Sequence, residues 1–548
     1  MQLSVTPTYT HTGGTSERAA LGVFVIFLAI AAWALLFHLG SYFWFHGDEW
    51  DFLVERDASK LGDLLRAHGE HLTLLPILVY RFLWSLFGIR SYFPYQVPVV
   101  LLHLIAAVLL RIIMRRSGVN PWIATSAASI LVLFGPGAEN IIWAFQITFA
   151  GSLVFGLAQL LLADHAGPGW SRDWCALGVG LLGLLCSGFA PLPVAVVGAV
   201  VLVRRGWRPA LFQTAPLAVV FLSWWLLVGP DRIPDPYGRA ADAGEIIHFV
   251  CTGIVATLTG LGGSGVIGAL FGAALLAGLV VAWLPLPREE RLRQAIMPLS
   301  LLIAGIAFLF LAGYGRWWIG DQVGSSSRYV HVFAAFTLPA LAVAFDALAR
   351  RWRFGVPAAA ILLAVGIPHN IGQFDSIQPF GAESFEGRRE LITALAQSPY
   401  ALQVPRSTRV DPLWSNINVG WLLDARAAGK LPESANPANT RNRNFKLRFG
   451  IAFLQQPAPG NCTVIREPVD MLLNRGDEFG VEVGPWTKPK DGWFFMQSYT
   501  LQLMEDGKPV GQPLLIHPSY GNLLRAQFDD LNVRIGLAPG TEALKLCH

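Results

Sequence analysis

Charge is scarce in this chain. Asp, Glu, Lys and Arg make up 14% of its 548 residues, where a soluble protein carries about 25%. The shortage lies before residue 370, and mean hydropathy over the chain is +0.47, so a polytopic membrane domain is expected there. No basic strip interleaved with aromatics occurs, which argues against a nucleic-acid partner. The net charge of +4 comes from arginines in short loops and reports topology. Cysteine is also sparse, with five in all. Cys175, Cys186 and Cys251 sit in apolar stretches and read as packing residues. No CxxC or His/Cys ligand spacing is present, so no structural zinc site is expected. Cys462 and Cys547 lie in polar surroundings and can pair if that region is extracytoplasmic. No small-x-small cleavage site follows the first apolar run, which therefore reads as an uncleaved anchor. No repeat of fixed period is evident.

What the chain does have is long apolar runs. Candidate spans lie near 19–39, 94–113, 121–136, 141–163, 174–189, 191–203, 211–228, 265–284, 295–313, 329–347 and 356–368. Four arginine clusters separate them: Arg111/Arg115/Arg116, Arg204/Arg205/Arg208, Arg288/Arg291/Arg293 and Arg350/Arg351/Arg353. With about eleven spans and a cytoplasmic N-terminus, all four face the cytoplasm, as the positive-inside tendency asks. This holds only if Leu72–Ile89 and about Ile246–Leu261 do not cross. Both then read as interfacial or re-entrant helices on the outer face, tolerated at membrane depth where they line a cavity. The expected organisation is a cytoplasmic tail over 1–18, a membrane domain over 19–369 and an extracytoplasmic domain over 370–548. The fold class is thus mainly α, a polytopic helical bundle with outer-face interfacial helices and a C-terminal α+β, β-rich domain. In that last region Phe385–Gln397 and Val419–Ala428 read as helices. Phe479–Val483 and Tyr499–Met504 alternate like strands, and Glu505-Asp506-Gly507-Lys508 is a hairpin turn.

The first outer loop opens with His46-Gly47-Asp48-Glu49-Trp50-Asp51, three carboxylates at the boundary of the first span. Leu61, Leu64, Leu65 and His68 follow at helical spacing, a short amphipathic surface helix. A second helix begins near Pro76 and runs to Phe87. It carries Arg81, a charge in an apolar segment that needs a carboxylate, a phosphate or water.

Taken in order, these motifs resemble the GT-C superfamily of polytopic glycosyltransferases. The resemblance rests on Asp48-Glu49-Trp50 after the first span, the His71–Pro76 segment with membrane-parallel helices, the basic turn at Arg111–Arg116, and Ser327-Arg328-Tyr329 opening a span that contains Pro339. It covers roughly residues 19–350. It implies sugar transfer from a polyprenyl-phosphate donor on the outer face of the cell membrane to a glycan, lipid or protein acceptor of the cell envelope. The C-terminal region matches no known pattern; binding acceptor glycan and capping a cavity are both open to it.

The chemistry needs a base for the acceptor hydroxyl, which a carboxylate supplies, and donors for the departing phosphate. Asp48 is the expected base and Glu49 the second candidate; which one acts stays open. Arg328, with Tyr329 and His331 beside it, is the expected phosphate site, because guanidinium offers a planar fork of donors. Arg81, His71 and Glu70, with Trp50 and Asp51, complete the expected substrate contacts. No cofactor is expected with certainty, although Asp48, Glu49 and Asp51 suit a divalent cation. Plainer readings exist for each: solvated surface for the acids, a helix-end anchor for Arg328, an interfacial anchor for Arg316, a turn and cap for Glu139 and Asn140, and packing for His103. The alternative function is a transporter or flippase of a lipid-linked sugar. It is disfavoured by the near absence of acids inside the spans and of paired broken helices. An assembly protein, the third reading, leaves Asp48 and Arg328 without purpose.

Overall fold

A computed structural model describes residues 14–167, 169–230, 240–320, 322–374, 377, 384–410, 417–432, 448–454, 460–483, 499–516, 521–538, 541 and 543–547. Contacts divide the chain into two compact units. One comprises Met1–Ser41, Leu64–Pro76 and Tyr95–Ile377; the other comprises Tyr42–Asp63, Ile77–Pro94 and Gln378–His548. The acidic loop, expected within the membrane domain, therefore clusters with the C-terminal segment.

The first unit is helical. Among the described residues, nine helices are long and apolar enough to cross a membrane, or ten if the bent pair Pro121–Val132 and Gly135–Ile142 counts as one span. The chain is a multi-pass membrane protein. The expected spans near 174–189 and 191–203 are helices Trp170–Leu184 and Pro191–Arg205, of 15 residues each. At about 1.5 Å per residue each reaches roughly 22 Å, short of a full hydrocarbon core. On the first helix Leu21, Ile26, Ile30, Trp33 and Phe37 are exposed, the pattern of a lipid-facing surface. Ser327–Ala349 is the opposite case, with 89% of its apolar window buried, and forms the centre of the unit.

Hydrogen bonds tie the arginine clusters to one another. Glu17 meets Arg111 at 3.1 Å and Arg115 at 2.8 Å. Arg116 donates to the Leu161 carbonyl at 2.9 Å, and nearby Asp164 accepts from Arg204 at 2.7 Å. Arg204 also donates to the Arg293 carbonyl at 2.9 Å, and Arg350 to the Gly118 carbonyl at 2.8 Å. All four clusters thus lie on one side, so an even number of crossings separates each from the next. Three apolar helices lie between Arg205 and Arg288: Trp207–Leu227, Ala243–Gly262 and Gly265–Trp283. They cannot all cross. Ala243–Gly262 is 20 residues long, but both its middle and its C-terminal end lie against the loops opposite the arginines. Gly253 lies against Gly324 and Gly260 against Phe134 and Pro136, and the turn at Gly263, φ +72°, lies against Gly366. That is the placement of an interfacial or re-entrant helix.

In the second unit, the helix Leu74–Phe87 shows Leu78, Phe82 and Leu86 to the outside at i, i+4, i+8, an apolar stripe of interfacial type. Gly88, φ +59°, ends it where the Lys430 backbone comes too close for any side chain, and Ile89 N–H donates to the Lys430 carbonyl at 2.8 Å. Helices Phe385–Gln397 and Val419–Ala427 follow.

The C-terminal strands are β1 (Phe449–Leu454), β2 (Cys462–Ile465), β3 (Val469–Leu473), β4 (Glu478–Val483), β5 (Tyr499–Glu505), β6 (Lys508–Ile516), β7 (Gly521–Ala526), β8 (Leu531–Leu537) and β9 (Leu544–Cys547). They form two antiparallel sheets, in the orders β1-β7-β4-β9-β2 and β3-β8-β5-β6. Alternate residues such as Phe479, Val481, Leu501, Val533, Ile535 and Leu546 make the shared core. The Tyr499 hydroxyl accepts from Asn522 Nδ2 at 3.0 Å within it, a polar link between the sheets. Asp506 and Gly507 both have positive φ, the primed two-residue turn expected there. Cys462 and Cys547, opposite one another on β2 and β9, form a disulfide that closes a separation of 85 residues. Replacing both cysteines by serine is expected to lower the stability of this β-module by about 2–5 kcal/mol. Differential scanning calorimetry of wild type with and without reductant checks it, since reductant should move wild type to the variant's transition and leave the variant unmoved.

Candidate active site

The acidic loop is shaped by its own carboxylates. Gly47 takes φ +63° and starts two successive turns, Trp50 N–H to the Gly47 carbonyl and Asp51 N–H to the Asp48 carbonyl, both at 3.2 Å. Glu49 is fully buried. Its Oε1 accepts from the Tyr80 hydroxyl at 2.7 Å and the Tyr92 hydroxyl at 3.1 Å, and its Oε2 from the His46 backbone N–H at 2.9 Å. A buried carboxylate needs such donors to remain charged. Asp51 is also buried and takes a two-pronged bond from Arg56, at 2.9 and 2.7 Å. Trp50 is fully buried against Trp44, Phe45 and Trp421. Asp48 alone of the three acids is partly exposed.

These contacts revise several expectations. Glu49 was the second candidate base, yet three donors hold it inside the protein. Trp50 and Asp51, expected on the substrate, are engaged in packing and an ion pair. Arg81 donates to the Leu53 carbonyl at 2.7 Å and so braces the C-terminal end of the acidic loop. Among the described residues Asp48, Glu49 and Asp51 do not converge as metal ligands. The one group of three that does, Cys462, Glu482 and Cys547, has both sulfurs in the disulfide.

In the helical unit two charged pairs assemble. Glu70 accepts a fork from Arg316 at 2.7 and 2.6 Å. Burial pushes the Glu70 carboxyl up, but the hydrogen bonds and charge of Arg316 more than offset this and hold it below the ordinary carboxylate value. The His71 ring accepts from Gly188 N–H at 3.0 Å through Nδ1, which places the proton of the neutral ring on Nε2. Burial, with Glu70 opposing and Arg316 adding, lowers its pKa to about 4. Gly188 is required here, because a Cβ would lie 2.8 Å from His71 Nδ1.

The second pair is Arg328 and Glu139. Arg328 Nε lies 3.6 Å from Glu139 Oε2, and its guanidinium sits over the Trp143 ring at 5.8 Å. The short helix Ala138–Ile142 holds the start of helix Ser327–Ala349 at two further points. Glu139 N–H donates to Ser327 Oγ, and Asn140 Nδ2 to the Arg328 carbonyl, both at 3.0 Å. Tyr329 is buried between Phe249 and Phe308. His331, expected to face substrate, is fully buried against His103. Sequence reading gave two participants only a secondary place. Glu139 resembled an ordinary turn acid, and Arg316 an interfacial anchor; only their distant partners, Arg328 and Glu70, distinguish them.

A pH effect follows from Glu70 and His71. Both have folded-state pKa values below their unfolded ones, so both contribute stability above the unfolded values that is lost as pH falls. For His71 the window runs from about 6.5 down to about 4, and Glu70 adds to it at the acid end. Thermal unfolding of detergent-solubilised protein should show a falling Tm between pH 6.5 and 4. His71→Gln should be less stable at pH 7.5 and show a shallower fall over this window; an equal slope in both proteins contradicts the assignment.

No known family profile matches the chain, and no curated protein matches it. Among solved structures it is similar to ArnT from Cupriavidus metallidurans bound to undecaprenyl phosphate, at 15% identity and TM-score 0.45, over 76% of this chain and 90% of that one. It is likewise similar to the apo state of the same protein, at 15% identity and TM-score 0.43 over the same shares.

Proposed function

We propose that this chain is a membrane glycosyltransferase that moves a sugar from a polyprenyl-phosphate donor to an acceptor of the cell envelope on the outer face of the membrane. The observation that carries this reading is the sorting of the three loop carboxylates. Glu49 and Asp51 are buried and saturated with donors, and the scaffold they build presents the partly exposed Asp48. A rigid loop with one accessible acid suits a general base better than it suits solvated surface.

In this reading Asp48 takes the proton of the acceptor hydroxyl as that oxygen bonds to the anomeric carbon. The bond from that carbon to the phosphate oxygen breaks, and the polyprenyl phosphate leaves with the electron pair. Arg328 stabilises the phosphate as its charge develops. Its partner Glu139 lies 3.6 Å away and its guanidinium sits over the Trp143 ring, on the side of the helical unit opposite the arginine clusters. Glu70 and Arg316 hold the His71 segment through their two-pronged bond. The disulfide supports an orientation with the β-module outside the cytoplasm, because such bonds persist in oxidising compartments, and the arginine clusters are consistent with a cytoplasmic side.

The test is transfer by purified full-length protein in liposomes, given labelled polyprenyl-phosphate sugars and an envelope extract as acceptor. Asp48→Asn should reduce turnover by about 10²-fold or more while keeping wild-type Tm and donor affinity. Undiminished turnover in Asp48→Asn removes the base assignment. If wild type binds donor but yields no product and instead moves it between leaflets, the protein is a flippase.

A further inference from the structure

The helical unit contains two imidazoles that the reaction above does not use. His103 lies within helix Phe93–Arg116 and His331 within Ser327–Ala349, and both are fully buried. His103 Nε2 lies 3.1 Å from the Val132 carbonyl. His331 Nε2 lies 3.1 Å from His103 Nδ1. His331 Nδ1 lies 3.4 Å from Asn140 Nδ2, and that same nitrogen lies 3.0 Å from the Arg328 carbonyl.

The two ends of this series determine every proton in it. A carbonyl only accepts, so His103 Nε2 carries hydrogen. In a neutral ring Nδ1 is then bare and accepts, so His331 donates through Nε2. His331 Nδ1 is bare in turn and accepts from Asn140, whose second amide hydrogen goes to Arg328. Turning the Asn140 amide over would set its oxygen against a carbonyl and a bare ring nitrogen, so the orientation is settled by its neighbours. A proton added to either ring would set two donors against each other. The donors and acceptors along the series match in one arrangement only, which holds its members in place, while Asn140 Oδ1, buried beside it, has no hydrogen-bond partner among the described residues.

Sequence supplies a matching steric condition. A Cβ on Gly137 would lie 2.8 Å from His331 Cβ and 2.9 Å from its Cδ2. Gly137 thereby lets the helix bearing Asn140 close onto His331. The series ends on the backbone of Arg328, the residue whose guanidinium reaches Glu139 and Trp143.

We propose that His103, His331 and Asn140 are positioning residues that set the Arg328 guanidinium for the phosphate of the lipid donor. None of the three touches the donor. The proposal rests on the reading that Arg328 binds that phosphate, and the experiment separates the two. A polyprenyl phosphate is titrated into the full chain in detergent, and donor KM and kcat are measured in parallel. Arg328→Ala should raise Kd strongly, which tests the reading by itself. His103→Leu should raise Kd and KM by about five-fold, the effect of one lost hydrogen bond, with kcat little changed. His103→Gln keeps both an acceptor and a donor and should restore Kd. The double variant Arg328→Ala with His103→Leu should bind no more weakly than Arg328→Ala alone. Asn140→Leu cuts the series while leaving the two rings paired, so it serves where His103→Leu does not fold. If Arg328→Ala weakens binding but the His103 effect is absent, or adds to it in the double variant, the positioning role is wrong and the phosphate site stands. If Arg328→Ala leaves Kd unchanged, the phosphate reading falls and the positioning role with it.

Discussion

An arginine in a membrane protein must end somewhere polar, and in this chain that requirement organises the helical unit. Arg111, Arg116, Arg204 and Arg350 each terminate on a carboxylate or carbonyl contributed by a different helix. Leu161 lies in the last turn of its helix, where unsatisfied carbonyls collect; Glu17 offers a side-chain carboxylate, and Arg293 and Gly118 offer backbone carbonyls. This one set of contacts satisfies the guanidinium groups and registers the helices against one another. The parity of the bundle follows from this, including the helix Ala243–Gly262 that returns to the side it came from. The opposite side is left with the few charges that are not part of this lattice, among them the Glu70–Arg316 and Glu139–Arg328 pairs.

Much of this was legible in the sequence because it is written in one dimension. Apolar runs of spanning length, the spacing of arginine clusters and the Asp506-Gly507 turn are local signals, and the elements follow them closely. Ala243–Gly262 shows the limit of length as a criterion. It has the length and hydropathy of a span, and the arginine clusters, first by their spacing and then through the contact of Arg204 with Arg293, speak against a crossing. Trp170–Leu184 and Pro191–Arg205 show the converse, since both were expected as spans, near 174–189 and 191–203, and each helix is too short to reach across a full hydrocarbon core.

The acidic loop was recognisable as a cluster, but not the division of labour inside it. Asp48, Glu49 and Asp51 are chemically near-equivalent in a string of letters. Tyr80 and Tyr92, 31 and 43 residues from Glu49, turn one of them into a structural anchor, and Arg56 does the same for Asp51. His331 was misplaced for a similar reason. One helical turn from Arg328, it suggested a substrate contact on the same face, whereas His103 and Asn140 take up both of its ring nitrogens inside the protein. Its true partner, His103, lies 228 residues away.

The strand order of the β-module has a bearing on how the protein is made. In the five-stranded sheet, β9 sits between β4 and β2, so a strand that emerges late in synthesis occupies an interior place. Until it arrives, β2 has no neighbour and β4 exposes one edge of its ladder, both open to pairing with other chains. Contacts between partners so far apart also form slowly. The module therefore spends its assembly in a state that invites wrong pairing, and the Cys462 thiol waits unprotected on an outermost strand for its own partner. Folding of this module stands to gain from a chaperone that covers the open edges of β2 and β4 until β9 pairs with them.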